Sequence, residues 1–390
     1  MATAPAAGTE AGVPAARPGL PPPRDGYRYV PGDHADQVRP ELTVYNTSHD
    51  LRRHGLELEA GYRLPHRSKL SLNYAREKIQ RENAATEATR EDRYTLKYRL
   101  QPWQPLQARL ELGWANRGAD TYRWDQSWFA RRDSALINIT PDNQRFSNHP
   151  LLSQYHLANR EQWRYKLSLN YLPAPRWNLN LNLQGREDDY DKSALGVTDS
   201  RFQSLQLSAA YSPGERLQLS IHAGLERQRS RQGSRAFRGG QEKNAFAVTP
   251  PLPQASDPGR DWWLDSRDDS LVLGGQLRWQ PGERLELELD YQWIDTGSEQ
   301  DFSPVAAADL NPASLPAVDT RLHQFDAGGI WHWREAVSLR LHYRYYRYQS
   351  SDWTWRDVQP DTMDKVLSFG QRNPNENLHY MGLSVLYRWH

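Results

Sequence analysis

The sequence contains no cysteine. That excludes disulfides, thiolate metal sites, cysteine nucleophiles and covalent CxxCH haem attachment. It also lacks a surplus of either charge: Lys plus Arg is 49, Asp plus Glu is 48, and the formal net charge is +1. A protein that holds nucleic acid by bulk attraction needs a basic surplus, so no nucleic-acid partner is expected. No apolar run approaches the ~20 residues of a membrane-spanning helix. A β-barrel is therefore the only way this chain could cross a bilayer. No G-x-S-x-G elbow and no phosphate-cradling glycine loop occurs, and no catalytic site is expected. The opening "MATAPAAGTEAGVPAARPGLPPPRDG" has no basic n-region followed by an apolar h-region, so it is not a recognisable signal peptide. Its Ala/Pro/Gly bias reads as a flexible leader over residues 1–40, leaving 41–390 for the folded part.

The chain is very polar, yet it holds 15 Trp and 20 Tyr. Disordered chains are polar but poor in aromatics, so disorder fits badly. The aromatics belong to a strict pattern. In "ERLELELDYQW", residues 283–293, Leu285, Leu287, Leu289, Tyr291 and Trp293 fall on one face, and charged or amide residues fall on the other. Period two is the signature of a strand with one apolar and one wet face. The same alternation runs through "HGLELEAGYRL", "YTLKYRL", "LQARLELGW", "WRYKLSLNY", "WNLNLNLQG", "RLQLSIHAGL", "VSLRLHYRYY" and the terminal "YMGLSVLYRW".

Short turns join these strands in pairs, and most carry proline: "YRLPHRSKL", "NYLPAPRWN", "AYSPGERLQ", "RWQPGERLE". Between the pairs the connections read as long polar loops, over 81–92, 117–158, 186–200, 228–268, 294–320 and 351–376. Short turns alternating with long loops, ~10-residue strands and aromatics at strand ends are the marks of a transmembrane β-barrel, with short turns periplasmic and long loops outside. A soluble up-and-down barrel has the same alternation with its apolar face inward. The charged and Asn/Gln-rich rows of the polar face are more than a small dry interior tolerates, which favours the membrane. The fold class expected is all-β, an antiparallel transmembrane β-barrel. Thirteen strands are legible, with a weak fourteenth at 41–48. An odd count without an export signal points to a missing N-terminal part and a larger barrel.

Parity assigns lumen-facing candidates: Glu57, Glu59, Arg63, Lys97, Arg99, Arg109, Glu111, Arg164, Lys166, Arg284, Glu286, Glu288, Asp290, Arg340, His342 and Arg344. Each is read either as grip on a lumenal partner or as a solvated channel wall. His323, His332 and His342 lack ligand spacing, so no metal is expected there. "DYDKS" at 189–193 and "SRDDS" at 266–270 read as acidic loop tips, solvated rather than calcium-holding.

The segments "YRLPHRSKLSLNYAREKIQRENAATEATREDRYTLKYRL" and "WTWRDVQPDTMDKVLSFGQRNPNENLHYMGLSVLYRW" resemble the MtrB/PioB family of decahaem-associated outer-membrane barrels, over about 45–390. The resemblance implies a porin-like sheath in the bacterial outer membrane, a C-terminal portion of a longer chain. It implies a periplasmic multihaem cytochrome c in the lumen, an outer-surface cytochrome as a further partner, and lipid around the wall. Haem would be carried by the cytochrome, with no cofactor bound covalently by the barrel, and the role would be transmembrane electron transfer. The competing reading is a general diffusion porin for small polar solutes; a soluble or surface β protein is a third.

Overall fold

The computed structural model describes residues 50–123, 149, 151–236, 257–303, 305, 315–352 and 375–389. The leader over 1–40 and the weak strand at 41–48 lie outside the described residues. Within them the chain is almost wholly strand. The strands are β1 (Leu51–Leu64), β2 (Ser68–Arg81), β3 (Ala88–Trp103), β4 (Leu106–Ala119), β5 (Leu152–Ser153), β6 (Arg160–Tyr171), β7 (Trp177–Asp189), β8 (Leu195–Gly214), β9 (Leu217–Arg235), β10 (Asp261–Trp279), β11 (Leu285–Phe302), β12 (Val318–Arg334), β13 (Val337–Ser351) and β14 (Glu376–Tyr387). One 3-10 turn, Pro258–Arg260, precedes β10. No helix among the described residues is long and apolar enough to cross a membrane.

All the long strands form one antiparallel sheet in chain order, β1-β2-β3-β4-β6 through to β14. The two-residue β5 pairs in parallel with β8 instead. The thirteen long strands are those legible in the sequence. Among the described residues β1 and β14 each pair on one side only, so the sheet has two free edges.

The apolar residues do not gather into a dry interior. Leu58 is 57% exposed, Ile221 58% and Leu383 74%. Leucine at such exposure is stable only against something other than water.

Two expectations need correcting. The described residues of the expected long loops at 186–200 and 228–268 are largely strand, because β7 to β11 run far past their leucines. β8 alone has 20 residues. The extra length carries charge on both faces, so alternation of hydrophobicity cannot reveal it; the backbone ladder and sideways ion pairs hold it together. For the same reason "SRDDS" is no loop tip: it lies within β10, where Asp269 pairs with Arg227 at 2.6 Å. "DYDKS" does turn, although its Asp189 still belongs to β7. Only Glu215 and Arg216 separate β8 from β9. Pro213 stays within β8 beside a register shift between Tyr211 and Gly214, a bulge being where a strand tolerates proline.

Candidate functional site

Directly opposed residues of an antiparallel ladder point the same way, so the register carries a face from strand to strand. Followed outward from Leu285–Trp293 of β11, one face holds most of the leucines of the long strands. Leu289 stands opposite Leu277 and Ala327. Leu219 stands between Tyr211 and Leu277. Leu181 stands between Leu169 and Leu207.

This face is a belt with two edges. Toward the short turns it ends in rings such as Tyr171, Trp177, Tyr211, Trp279 and Trp331; Trp177 and Tyr211 lie 4.5 Å apart between ring centres. Toward the other end Tyr74, Tyr94, Trp114 and Trp163 stand directly opposite one another across β2, β3, β4 and β6. Beyond them charge begins on the same face, again in register: Arg76 opposite Asp92, Glu187 opposite Arg201, Arg227 opposite Asp269, Asp295 opposite Arg321. Several of these are ion pairs, at 3.1 Å for Arg201–Glu187 and 2.8 Å for Arg321–Asp295. About nine residues per strand separate the edges, roughly 23 Å at 3.3 Å per residue and a ~40° tilt. That is the height of the apolar band of outer-membrane barrels. A concavity of about 820 Å³ between Leu106, Leu169, Leu181, Leu207, Ile221 and Leu273 lies mainly against this belt; it is wall, not a chemical site.

The opposite face is mainly polar, with apolar side chains at Val272, Ile294 and Leu322 of β10 to β12 and at Leu378 and Leu386 of β14. Glu57, Glu59, Arg63, Lys97, Arg99, Arg109, Glu111, Arg164, Lys166, Glu286, Glu288, Asp290, Arg340, His342 and Arg344 all fall on it by register, and Arg284 takes the same parity one residue before β11. Strand-by-strand parity thus converges on a single surface. The members do not form one cluster. Glu57 accepts from Asn73 Nδ2 at 2.7 Å, Glu288 from Arg278 Nε at 3.0 Å, and Glu286 lies 3.0 Å from His332 Nε2. Arg344 and His342 meet on Asp326, at 2.6 and 3.3 Å. Asn170, Asn178 and Asn180 bond side chain to side chain, with Ser208 beyond them.

One connected array was not visible in the sequence. Arg53, Glu77, Arg93, Glu91, Arg160, Asp188 and Arg186 pair in sequence along the polar face of β1 to β7, with separations from 2.8 to 3.8 Å. Gln162 adds a 2.5 Å bond to Asp188, which is almost fully buried. Glu91, Arg186 and Asp188 lie in stretches that read as loops, and the other members lie at strand ends beyond the alternating leucines; the weak signal is Gln162, Arg164 and Lys166 alternating with aromatics in "EQWRYKL".

A cap closes over that array. Arg117, on the polar face, donates to the carbonyls of Ala158 at 2.9 Å and Tyr155 at 2.5 Å. Tyr122 Oη donates to Leu152 O at 2.9 Å, and Arg123 N to Ala85 O at 2.6 Å. Leu157, Ala158, Ala85, Ala115, Tyr190 and Leu195 are buried there, nearly all the buried apolar residues described. Gly196 is required: its φ is +97°, and a Cβ would stand 2.5 Å from Ser153 O, where β5 crosses β8. Burial, then the charge of Asp188, raises the pKa of Tyr190 above the ordinary tyrosine value.

A belt of this height, with aromatic edges and a charged reverse face on an all-antiparallel sheet, defines an outer-membrane β-barrel protein. The family of outer membrane beta-barrel porins MtrB/PioB matches residues 26–389, and the chain belongs to it. Outer membrane protein MtrB of Shewanella baltica (strain OS185) is 18% identical over 346 residues, covering 88% of this chain and 44% of that protein. The chain thus spans less than half the length of this relative. Among solved structures, the ferric-catecholate import receptor Fiu of E. coli K12 aligns over 77% of this chain and 50% of its own, with TM-score 0.44 and 10% identity. The siderophore receptor PiuA of Acinetobacter baumannii aligns over 78% and 50%, with TM-score 0.41 and 11% identity.

Proposed function

We propose that the chain is a non-enzymatic sheath. Its leucine belt meets outer-membrane lipid, and its polar face encloses a periplasmic multihaem c-type cytochrome whose haems carry electrons across the membrane. The observation that carries this reading is the polar face itself. It carries charged or amide side chains on each strand from β1 to β13, β5 aside, many of them already ordered by cross-strand bonds. Such a wall suits a hydrated protein surface, and the low-dielectric belt behind it insulates whatever moves electrons inside. The chain has no cysteine for covalent haem, so the haem and any redox step belong to the partner. The residues named above act by complementarity and not by catalysis.

The test is purification from outer membranes under mild detergent. The sheath predicts a haem-staining polypeptide in fixed proportion to the barrel. A haem-free barrel that alone gives steady ion conductance in a planar bilayer would overturn the reading in favour of a diffusion porin.

A further inference from the structure

On the short-turn side of the polar face, four cations stand in one line. Arg63 is opposite Lys69, Lys69 opposite Arg99, and Arg99 opposite Arg109, across β1, β2, β3 and β4. Arg67 sits in the turn just beneath. In the array ending at Asp188, on the same face, each cation has a carboxylate beside it. Here Arg63, Arg67, Lys69, Arg99 and Arg109 make no ion pair among the described residues. The row lines a cleft of about 630 Å³ whose other polar walls are Ser168, Asn170, Asn180, Asn182 and glutamines, without one carboxylate.

Like charges directly opposite one another on a ladder repel. An anion entering from outside the sheet would relieve that repulsion. The row is roughly 15 Å long at ~4.8 Å per strand, too long for one phosphate or one carboxylate. Lipid headgroups do not reach it, because at this level Tyr62, Leu70, Tyr98 and Leu110 occupy the belt on the reverse face. Guanidinium groups present paired donors that match carboxylates. A helix with acidic residues three or four apart sets their Cβ atoms about 5–6 Å apart, close to the strand spacing.

We propose that this row is a docking site for a carboxylate-rich segment of the protein that occupies the lumen, fixing that protein at the periplasmic end of the wall. The site rests on the sheath reading for its occupant but not for its chemistry.

The test uses the full chain in detergent micelles with a fluorescent oligoglutamate of about ten residues as probe. The intact protein should bind it, less tightly as salt rises. The variant Arg63→Gln/Lys69→Gln/Arg99→Gln/Arg109→Gln should bind at least tenfold more weakly. A control losing as many cations elsewhere that make no ion pair among the described residues, Arg52→Gln/Arg229→Gln/Arg347→Gln/Arg388→Gln, should stay within twofold. Without probe, the row variant should melt at or above the intact protein, and the probe should raise the melting temperature of the intact protein only. If the fourfold variant does not fold, Arg99→Gln alone should weaken binding threefold or more. Equal binding by the intact and row-variant proteins would overturn the proposal. So would displacement of the probe by inorganic phosphate beyond its ionic-strength effect, which would indicate a small-anion site. Probe binding by a barrel that purifies without haem would support the row while removing the sheath reading.

Discussion

Two stretches of one sheet manage their charges differently. In β1 to β7 the longest chain of ion pairs runs on the polar face, and its inner members beneath the cap are shielded: Asp188 is 4% exposed at its side chain, Glu91 14% and Arg160 17%, while the ends at Arg53 and Arg186 stay open. In β8 to β12 the longest series lies on the leucine face, beyond the belt and without a described cover; Arg231 and Asp265 are 49% and 56% exposed, 3.9 Å apart. The difference teaches what a covering segment does. Where loops fold over charges, water is excluded and each lost partner leaves a buried ion. Where they do not, solvent screens the pairs and each contributes little. What both stretches share is the belt.

The sharpest way to break the comparison is to attack that shared part. Leu181→Arg in β7 and Leu289→Arg in β11 sit mid-belt and should each destabilise by about 2–4 kcal/mol in refolding titrations in lipid vesicles. A large loss at one site alone would mean that the belt is not common to both halves. Leu157→Ala should cost about 2 kcal/mol locally, freeing residues 151–158 to proteolysis while β9 to β14 keep their hydrogen-exchange protection. Spread of the effect into β9 to β14 would show that the cap supports the whole sheet. Asp188→Asn removes one of the two carboxylates beside Arg160 and the partner of Arg186, and should cost about 1–3 kcal/mol, whereas Asp265→Asn should cost less than ~0.5 kcal/mol. Equal effects in urea unfolding would erase the distinction between covered and open charges. The smallest expected effect is on pH. Burial raises the folded-state pKa of Tyr190, so the stability tied to its neutral form is complete below the ordinary value of about 10 and is lost as pH rises through the higher folded value. Protease sensitivity of 151–158 should therefore increase above pH ~10 in the native protein. In Tyr190→Phe that step should vanish; a step that persists would assign it to another group.

Much of the wall was legible residue by residue. Leu285, Leu287 and Leu289 alternate with Glu286 and Glu288, and a strand has no way to place both sets on one side. What was illegible begins where alternation of hydrophobicity ends. Arg227, Arg229 and Arg231 look like loop because neither parity there is apolar, yet the ladder continues through them. Lys69 went unremarked although its row-mates Arg63, Arg99 and Arg109 were singled out, because "SKLSLNY" alone does not say which residue of β3 it will face.

The sequence by itself determined the number of long strands, their two faces and the membrane-height belt, because period two and side-chain polarity are properties of each strand alone. The tertiary structure decided the rest. It set the register that joins Arg63 to Arg109, the ion array through Asp188, and the crossing of β5 over Gly196. These depend on which residues of distant segments come to stand opposite one another, and no single strand carries that information.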